Sequence, residues 1–313
     1  MYKIKLLFNP HAGQKSLLKK SMTETLPEVL RLLKKYQIPA DAFPTKHPGH
    51  ASDLARSAKK EGYSAVVVIG GDGTANEAAN GLVDSPIPLG IIPNGTFMNI
   101  ARMLSIPLDL EKAVELLKIN RIRKIDVGVL TALEGKKLNK PYYFIESSGI
   151  GTDAHVQHEF KKFEKGSIGA LFSVLKHIFS LVNHNVEIKT GQTTQKFLAN
   201  SVIVANGPYS GASLELAPDA KLNDHHLTVV IYKHKKHKLF RHFFRKIFFR
   251  KTNKQEITII KAKNVVISSE PSMLVHADAD LFGKTPVLYK IKPACLNVIC
   301  GFPENPKEST FKH

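Results

Sequence analysis

Residues 65–77 read AVVVIGGDGTANE, and this stretch decides the fold class. The apolar run Ala65–Ile69 is typical of a strand that is buried on both faces of a parallel sheet. Glycines directly after the run let the backbone turn sharply and approach a ligand closely. Their N–H groups, together with the start of the next helix, favour the binding of a phosphate group. A plain glycine-rich turn is the structural alternative, and the polar residues Thr74 and Asn76 favour the functional interpretation.

Asp72 lies in the middle of this glycine motif. A carboxylate at this place would repel a phosphate unless a cation lay between the two groups. Asp72 therefore implies Mg²⁺, which is held through water.

Two further loops resemble the first in composition. The sequence NPHAG at 9–13 follows the predicted strand Lys3–Phe8, and PNGT at 93–96 follows the predicted strand Ile87–Ile92. Loops after parallel strands meet at the carboxyl edge of the sheet, where ligands bind. Each loop alone is more often an ordinary turn, but three such loops after consecutive strands favour one shared ligand site.

The chain divides near Lys124 into two parts of different pattern. The first part alternates strands with predicted helices at Ser16–Tyr36, Asn76–Leu82, Thr96–Leu104 and Leu110–Leu117. This order predicts an α/β nucleotide-binding domain with a mostly parallel sheet at residues 1–124. Residues 125–301 predict an antiparallel, sandwich-like β-rich domain, and residues 302–313 predict a frayed tail. Its predicted strands are Tyr142–Ser147, Val186–Thr190, Phe197–Ala205, Leu227–Tyr232, Glu256–Ile260, Asn264–Ser268, Met273–His276, Val287–Ile291 and Cys295–Ile299.

Two helical inserts interrupt the β-rich part. The segment Ser167–Val182 is apolar enough to be either a core helix or a lid over an acyl chain. The segment Lys233–Lys251, KHKKHKLFRHFFRKIFFRK, interleaves basic residues with phenylalanines, and we predict a helix within it at Lys236–Lys251. Its composition fits a helix at the surface of an anionic membrane, and also a core-packed helix with solvated lysines.

Charge and cysteine content limit the partners and the compartment. Of 313 residues, 45 are Lys or Arg and 27 are Asp or Glu, so the formal net charge of +18 favours an anionic partner. We expect no nucleic acid, because no nucleic-acid-binding motif accompanies this charge. Cys295 and Cys300 are five positions apart, an odd spacing that puts the two thiols on opposite faces of a strand and disfavours a disulfide. The sequence thus predicts a cytoplasmic protein, and no apolar run reaches the roughly 18 residues that span a bilayer.

The three motifs together resemble the diacylglycerol kinase catalytic-domain superfamily. This superfamily includes bacterial lipid kinases and is related to sphingosine and ceramide kinases; its nucleotide loop is similar to that of NAD kinases. The likeness extends over nearly the whole chain, through KIDVG at 124–128, GIGTDA at 149–154 and APDAKLND at 217–224. The motifs in this order are specific to the superfamily but do not identify a substrate.

The resemblance implies roles for individual residues. Two acids would orient the water shell of a catalytic Mg²⁺, namely Asp72 and Asp126. A second, structural Mg²⁺ would be bound by Asp224 and by the backbone carbonyls of Lys221 and His226. The residues that the resemblance places around ATP are Asn9, Thr45, Gly70, Gly71, Asp72, Gly73, Thr74, Ala75, Asn76 and Thr96.

The acid that accepts the substrate proton is expected within Asp278-Ala279-Asp280, where the superfamily has Asp-Gly-Glu. Two carboxylates at i and i+2 of an extended segment point to the same side, and their mutual repulsion favours proton uptake by one of them. Two solvated acids in a turn are the structural alternative.

Several residues depart from the superfamily pattern. Met98 and Asn99 replace an amide and a carboxylate after the third loop, and Asp280 is one methylene shorter than the usual Glu. Ala279 replaces a glycine, and His225 also stands where glycine is usual; a positive φ at this position would strain His225, although His is among the more tolerant residues. These changes bear on rate and metal affinity more than on the fold.

The sequence therefore predicts an ATP-dependent lipid kinase that phosphorylates a hydroxyl of a lipid such as diacylglycerol, with Mg²⁺, in a cleft between the two domains. Expected partners are ATP, the lipid and an anionic membrane at whose inner face the protein acts transiently; a homodimer is left open. Two alternatives remain: an NAD-kinase-like kinase of a soluble metabolite, and a pseudokinase that binds nucleotide or lipid as a sensor.

Overall fold

The computed structural model describes most of the chain in two compact units. The first unit comprises Met1–Val127, Lys221–Asp224 and Lys292–His313, and the second comprises Gly128–Ala220 and His225–Ile291. Both predicted inserts, Ser167–Val182 and Lys236–Lys251, lie outside the described residues. The described residues are 2–12, 21–133, 141–151, 183–210, 213–232, 257–278, 280–302 and 310.

The first unit alternates strands and helices along the chain. Its parallel strands lie in the order β2-β1-β3-β4, and Val298 of β18 pairs in parallel with Leu89 of β4. The elements are β1 (Ile4–Phe8), α1 (Met22–Lys35), β2 (Ala40–Pro44), α2 (His50–Ser57), β3 (Ala65–Gly70), α3 (Asp72–Leu82), β4 (Leu89–Pro93), α4 (Asn99–Met103) and α5 (Leu110–Ile119). Two strands, β5 (Ile122–Ala132) and β18 (Val287–Ile299), contribute one part to each unit.

This arrangement confirms the predicted parallel α/β fold. Every residue of β3 is buried, as the uninterrupted apolar run predicts. Helix α3 starts at Asp72, four residues earlier than predicted, because the glycine motif itself forms the first helical turn. β2 and α2 were not predicted, since β2 is short and only partly buried.

The second unit is built from antiparallel strands. One sheet has the order β14-β13-β10-β7-β16-β17, while β8 pairs with β9 and β15, β15 with β18, and β5 with β6. The strands are β6 (Tyr142–Phe144), β7 (Ser147–Gly151), β8 (His184–Thr190), β9 (Thr193–Ala199), β10 (Ser201–Ala205), β11 (Tyr209–Ser210), β12 (Leu214–Glu215), β13 (Leu227–Tyr232), β14 (Ile257–Ala262), β15 (Asn264–Glu270), β16 (Leu274–Ala277) and β17 (Asp280–Lys284).

The core of this unit is formed by apolar side chains from both groups of strands, which confirms the sandwich-like β-rich prediction. Two boundaries differ from the sequence prediction. The segment Phe197–Ala205 forms two strands, β9 and β10, because the chain breaks its pairing at Asn200. The segments Val287–Ile291 and Cys295–Ile299 belong to one strand, β18.

Among the described helices, none combines the length and the apolar character that crossing a bilayer requires. Cys295 and Cys300 are both buried free thiols, as the odd spacing predicts. Burial raises the pKa of the Cys295 thiol to about 11, so this thiol is not a reactive thiolate at neutral pH.

Candidate functional site

The loops after β1, β2, β3 and β4 begin at the same edge of the parallel sheet. Phe8 pairs with Ile69 and Gly70 pairs with Pro93, so the carboxyl ends of three strands are level. The Thr45 N–H donates to the Phe8 carbonyl at 2.8 Å, which places the loop after β2 beside the loop after β1. The expected gathering of these loops is therefore present in the structure.

Two glycines bring the loops after β3 and β4 into backbone contact. A Cβ on Gly95 would lie 2.6 Å from the Gly71 Cα and 2.6 Å from the Met98 sulfur. The Asn94 N–H also donates to the Gly70 carbonyl at 3.0 Å. Any side chain at Gly95 would push the two loops apart, so glycine is required here by packing as well as by ligand access.

Helix α3 begins immediately after β3, with Gly71 as its extended N-cap residue. The first backbone N–H groups of a helix have no partner within the helix. They therefore make the motif 72–74 a suitable place for a phosphate oxygen. A Cβ on Gly70 would lie 3.2 Å from the Thr74 hydroxyl. The absence of a side chain at Gly70 therefore makes room for this hydroxyl.

Asp72 joins this helix start to the next one. Its Oδ1 accepts the Ile100 N–H at 2.8 Å and its Oδ2 accepts the Asn99 N–H at 3.1 Å. The carboxylate thus caps α4 and holds the loop that carries Gly95 and Thr96. Each carboxylate oxygen has a second lone pair, so these two bonds leave acceptor capacity for water around a cation.

Asn9 and Thr96, with Thr45, supply polar groups from the neighbouring loops. The Asn9 Oδ1 accepts the His11 N–H at 3.0 Å, which shapes the turn after β1. Thr96 is half-buried, whereas Ala75 and Asn76 are buried. The nucleotide contacts of Ala75 and Asn76 would have to be made by backbone groups or after side-chain movement.

Sequence reasoning missed a contact that fixes the loop after β2. The Glu77 Oε1 accepts the Ala51 N–H at 2.8 Å, so α3 caps the start of α2. Gly81 lets the two helices pack closely, since a Cβ there would lie 2.2 Å from the Ser52 carbonyl oxygen. One feature of the sequence points to this contact: Glu77 lies shortly after the glycine motif, in a predicted helix that has to pack on a neighbouring element.

Asp126 is completely buried in β5. Its Oδ1 accepts the Ala294 N–H at 2.8 Å, and its own N–H donates to the Leu222 carbonyl at 2.7 Å. The Leu222 N–H in turn donates to the Thr310 carbonyl, and the Thr310 hydroxyl donates to the Met103 carbonyl. Thr310 is buried, although it lies in the segment predicted as a frayed tail. In this structure Asp126 thus links β5 to the backbone of Leu222 and of Ala294.

The predicted structural metal ligands lie in one turn. Lys221 and Asp224 are half-buried, and His226 follows two residues later. His225 has a φ of 62°, so this position is left-handed and the histidine adopts it. Within the described part of the chain, no group of three or more His, Cys, Asp or Glu side chains is placed to hold a metal. A site built from one carboxylate and two carbonyl oxygens remains a prediction.

The acid pair at 278 and 280 differs from the expectation. Ala277 at the end of β16 faces Asp280 at the start of β17, so the chain reverses between them, and Asp278 has a φ of 42°. The assumption of an extended segment with both acids on one side is therefore wrong. The side chain of Asp280 lies outside the described residues.

Asp278 binds three consecutive backbone amides. Its Oδ2 accepts the Ile145 N–H at 3.1 Å, and its Oδ1 accepts those of Glu146 and Ser147 at 3.2 and 3.3 Å. The Asp278 N–H returns a bond of 3.0 Å to the Ser147 carbonyl. This carboxylate holds the connection between β6 and β7 to the hairpin, which favours a positioning role over proton transfer.

Buried hydroxyl groups continue this polar region. The Ser147 and Ser210 hydroxyls are 2.7 Å apart, and the Ser148 hydroxyl lies 2.8 Å from that of Tyr289. Complete burial raises the pKa of the Tyr289 phenol, so this group stays neutral and acts as a hydrogen-bonding group.

Comparison with known proteins agrees with this geometry. Residues 3–130 match the family model of the diacylglycerol kinase catalytic domain, and residues 146–300 match that of the YegS C-terminal NAD kinase beta sandwich-like domain. A diacylglycerol kinase of Staphylococcus haemolyticus is 31% identical over 288 residues, covering 90% of this chain and 83% of its own length. A diacylglycerol kinase of Staphylococcus carnosus is 30% identical over 288 residues, which cover 90% of this chain and 90% of that protein.

A solved structure of a diacylglycerol kinase from Bacillus anthracis superposes with a TM-score of 0.73 at 23% identity, covering 96% of this chain and 97% of that one. This likeness shows a common fold. The sequence matches favour a lipid kinase over a kinase of a soluble metabolite such as NAD. The matches confirm the resemblance inferred from the motifs: this chain belongs to the diacylglycerol kinase family of lipid kinases.

Proposed function

We propose that this lipid kinase transfers the terminal phosphate of ATP to a hydroxyl group of diacylglycerol or a closely related lipid. The observation that carries the proposal is the backbone contact between Gly71 and Gly95 beside the start of α3. It creates a surface without side chains where backbone N–H groups can approach a triphosphate. Diacylglycerol is the first candidate lipid because relatives over 90% of the chain are named diacylglycerol kinases.

The phosphates of ATP would lie against residues 70–76, with the Thr45 and Thr96 hydroxyls as additional donors and Asn9 at the rim. These residues share one edge of the parallel sheet. Positioning and charge neutralisation are the main requirements of phosphoryl transfer. The fixed loops meet the first requirement, because Asp72 and Glu77 hold their backbones in place.

Asp72 fits a role as outer ligand of Mg²⁺. A magnesium ion in a kinase is bound mainly by substrate phosphates and water, with one or two carboxylates. Asp72 is oriented by two N–H bonds and lies within the phosphate motif. Bound there, the ion would supply positive charge to the transferred phosphate. Asp126 is the weaker candidate, because it is fully buried and bonded to Ala294.

A second Mg²⁺ at Asp224, with the carbonyls of Lys221 and His226, is part of the proposal. A turn that presents one carboxylate and two carbonyl oxygens suits a hard cation. The His225 backbone at φ 62° gives the turn the curvature that such a set needs.

Asp280 is the proposed proton acceptor, and Asp278 is a positioning residue. As the lipid hydroxyl oxygen bonds to the terminal phosphorus, the bond to the departing ADP oxygen breaks and ADP keeps the electron pair. The hydroxyl proton passes to the Asp280 carboxylate. Asp278 keeps the hairpin in place through its three amide bonds.

The test is transfer of radiolabelled phosphate from ATP to lipids in mixed micelles with Mg²⁺. We expect labelling of diacylglycerol, and a loss of about 100-fold or more in kcat for Asp72→Asn and Asp280→Asn at a temperature where both variants are folded. Asp53→Asn, in an exposed ion pair on α2, is the matched control and keeps its rate. Full turnover in Asp72→Asn would refute the assignment of the metal site. Labelling of sphingosine, ceramide or NAD without diacylglycerol would refute the substrate.

A further inference from the structure

A short segment of the first unit joins strong positive charge to exposed apolar side chains. Residues 118–124 read KINRIRK, with four cations and no acid. Ile119 is 57% exposed and Ile122 is 46% exposed. Lys118 and Lys124 are exposed as well. Single exposed isoleucines are common, but two within one basic heptad are not explained by folding.

Phe302 extends this surface from the other end of the chain. The Arg121 guanidinium lies 4.2 Å from the centre of the Phe302 ring and donates to the Gly301 carbonyl at 2.8 Å. The Cys300 N–H donates to the Arg121 carbonyl at 3.0 Å, so the two segments run side by side. Phe302 is nevertheless 64% exposed. We call Ile119, Ile122, Phe302, Lys118, Arg121, Arg123 and Lys124 the basic-apolar patch.

The patch rests on regular structure. Ile119 ends α5 and Ile122 begins β5, with Asn120 in the left-handed conformation between them. The backbone therefore fixes the two isoleucines outward, and neither takes part in the nucleotide site. Along the chain the nearest flanking acids are Glu115, one helical turn earlier, the buried Asp126, and Glu304, two residues after Phe302.

An exposed leucine of the second unit provides the contrast. Leu198 on β9 is 59% exposed, but it pairs with Asn185, which pairs with Glu270. Lys196 of the same strand faces Glu187 at 3.7 Å. Apolar exposure there lies beside paired charges of both signs, whereas cations predominate among the described residues of the basic-apolar patch.

We propose that the basic-apolar patch docks on an anionic phospholipid surface. Its cations would meet lipid phosphates, and Ile119, Ile122 and Phe302 would enter the boundary between headgroups and acyl chains. An excess of cations around exposed apolar groups favours an anionic bilayer as the partner. The proposal rests on the proposed function only in that a lipid substrate resides in a membrane.

Flotation with phosphatidylcholine vesicles, with and without phosphatidylglycerol, tests the proposal. We expect Lys118→Gln/Lys124→Gln to weaken binding about fivefold per lysine, and only where phosphatidylglycerol is present. Ile119→Ser/Ile122→Ser should weaken it about tenfold or more through lost apolar burial. Lys196→Gln and Leu198→Ser are matched controls and should bind as the unchanged protein. Equal binding of all variants, each with unchanged circular dichroism, overturns the proposal.

Two further measurements separate this proposal from its rivals. Rates with a water-dispersed short-chain diacylglycerol should be unchanged in the patch variants, whereas rates with vesicle-embedded diacylglycerol should fall. If neither lipid is phosphorylated although the patch variants lose vesicle binding, the proposed function fails and the docking proposal stands. If the variants instead dissociate a dimer in sedimentation and keep their vesicle binding, the patch is an interface between copies and the docking proposal is wrong.

Discussion

Asp72 in the first unit and Asp278 in the second are both motif acids, and both accept hydrogen bonds from backbone amides. Asp72 accepts two, from Asn99 and Ile100 at the start of a helix. Asp278 accepts three, from consecutive residues of the connection between two strands. The difference lies in what surrounds them: Asp72 stands beside the close approach of Gly71 to Gly95, and Asp278 stands beside buried hydroxyl groups.

This comparison suggests two kinds of motif carboxylate. One kind has a structural role and a chemical role together, and the other has a structural role alone. The bonds of Asp72 hold it at the start of α3, within the proposed phosphate site. The three bonds of Asp278 join elements of one unit and leave it less suited to take a proton. Four predictions, from the largest to the smallest expected effect, test this difference.

Asp278→Ala should have the largest effect on stability. Three partly buried N–H groups lose their acceptor, so we expect a loss of about 3–5 kcal/mol in the free energy of unfolding. Asp278→Asn keeps one acceptor oxygen and should lose about half as much. Urea unfolding measures both. Equal stability of all three proteins would show that water replaces the carboxylate, and the positioning role would be wrong.

Gly95→Ala should be the next most damaging change. The new Cβ would lie 2.6 Å from the Gly71 Cα, so we expect a loss of about 2–3 kcal/mol and of most kinase activity. Gly73→Ala is the control for stability, because nothing lies within 4 Å of a Cβ there. Thermal unfolding of the two variants compares them directly, and similar melting temperatures would contradict the close contact.

Asp72→Ala should lose about 2 kcal/mol, less than Asp278→Ala, because two amides lose their acceptor instead of three. Its activity should nevertheless fall more than its stability suggests, since the proposed Mg²⁺ site loses its carboxylate. Kinase assays over a range of Mg²⁺ concentrations, at a temperature where the variant is folded, separate the two effects. Activity restored fully by excess Mg²⁺ would reduce Asp72 to a weak metal contact.

Glu77→Ala should have the smallest effect, about 1 kcal/mol, because one backbone bond to Ala51 is lost. The loop with Thr45 would then be less ordered, and we expect the KM for ATP to rise about fivefold with kcat nearly unchanged. Glu77→Gln keeps the acceptor oxygen and should restore the KM. If Gln fails to restore it, the carboxylate charge matters and the capping explanation is incomplete.

The sequence was most informative where local pattern and tertiary environment agree. The run AVVVI predicted β3 because five uninterrupted apolar residues suit a strand covered on both faces. The glycine-bearing loops predicted a shared edge of the sheet, where the strand ends are level. The close approach of Gly95 to Gly71 was not predicted. No strand was predicted at β2, because a partly buried edge strand needs few apolar residues and therefore gives no clear apolar run.

The errors in the second half have a common cause. The strand boundaries near Asn200 and Pro293, and the geometry of Asp278, depend on which strands pair with which. Strand pairing joins residues far apart in the chain, and no local pattern encodes it. Spacing at i and i+2 therefore suggested a shared face for Asp278 and Asp280 where the chain actually reverses.

By itself, the sequence determined the parallel α/β unit, the β-rich unit and the family, because buried runs and glycine motifs are set by local chemistry. Only the tertiary structure decided that Asp72 caps α4, that Asp278 binds the amides of 145–147, and that Arg121 meets Phe302. The physical reason is that a side chain takes the hydrogen-bond and ring partners that folding brings within reach, and those partners lie up to 181 residues away in the chain.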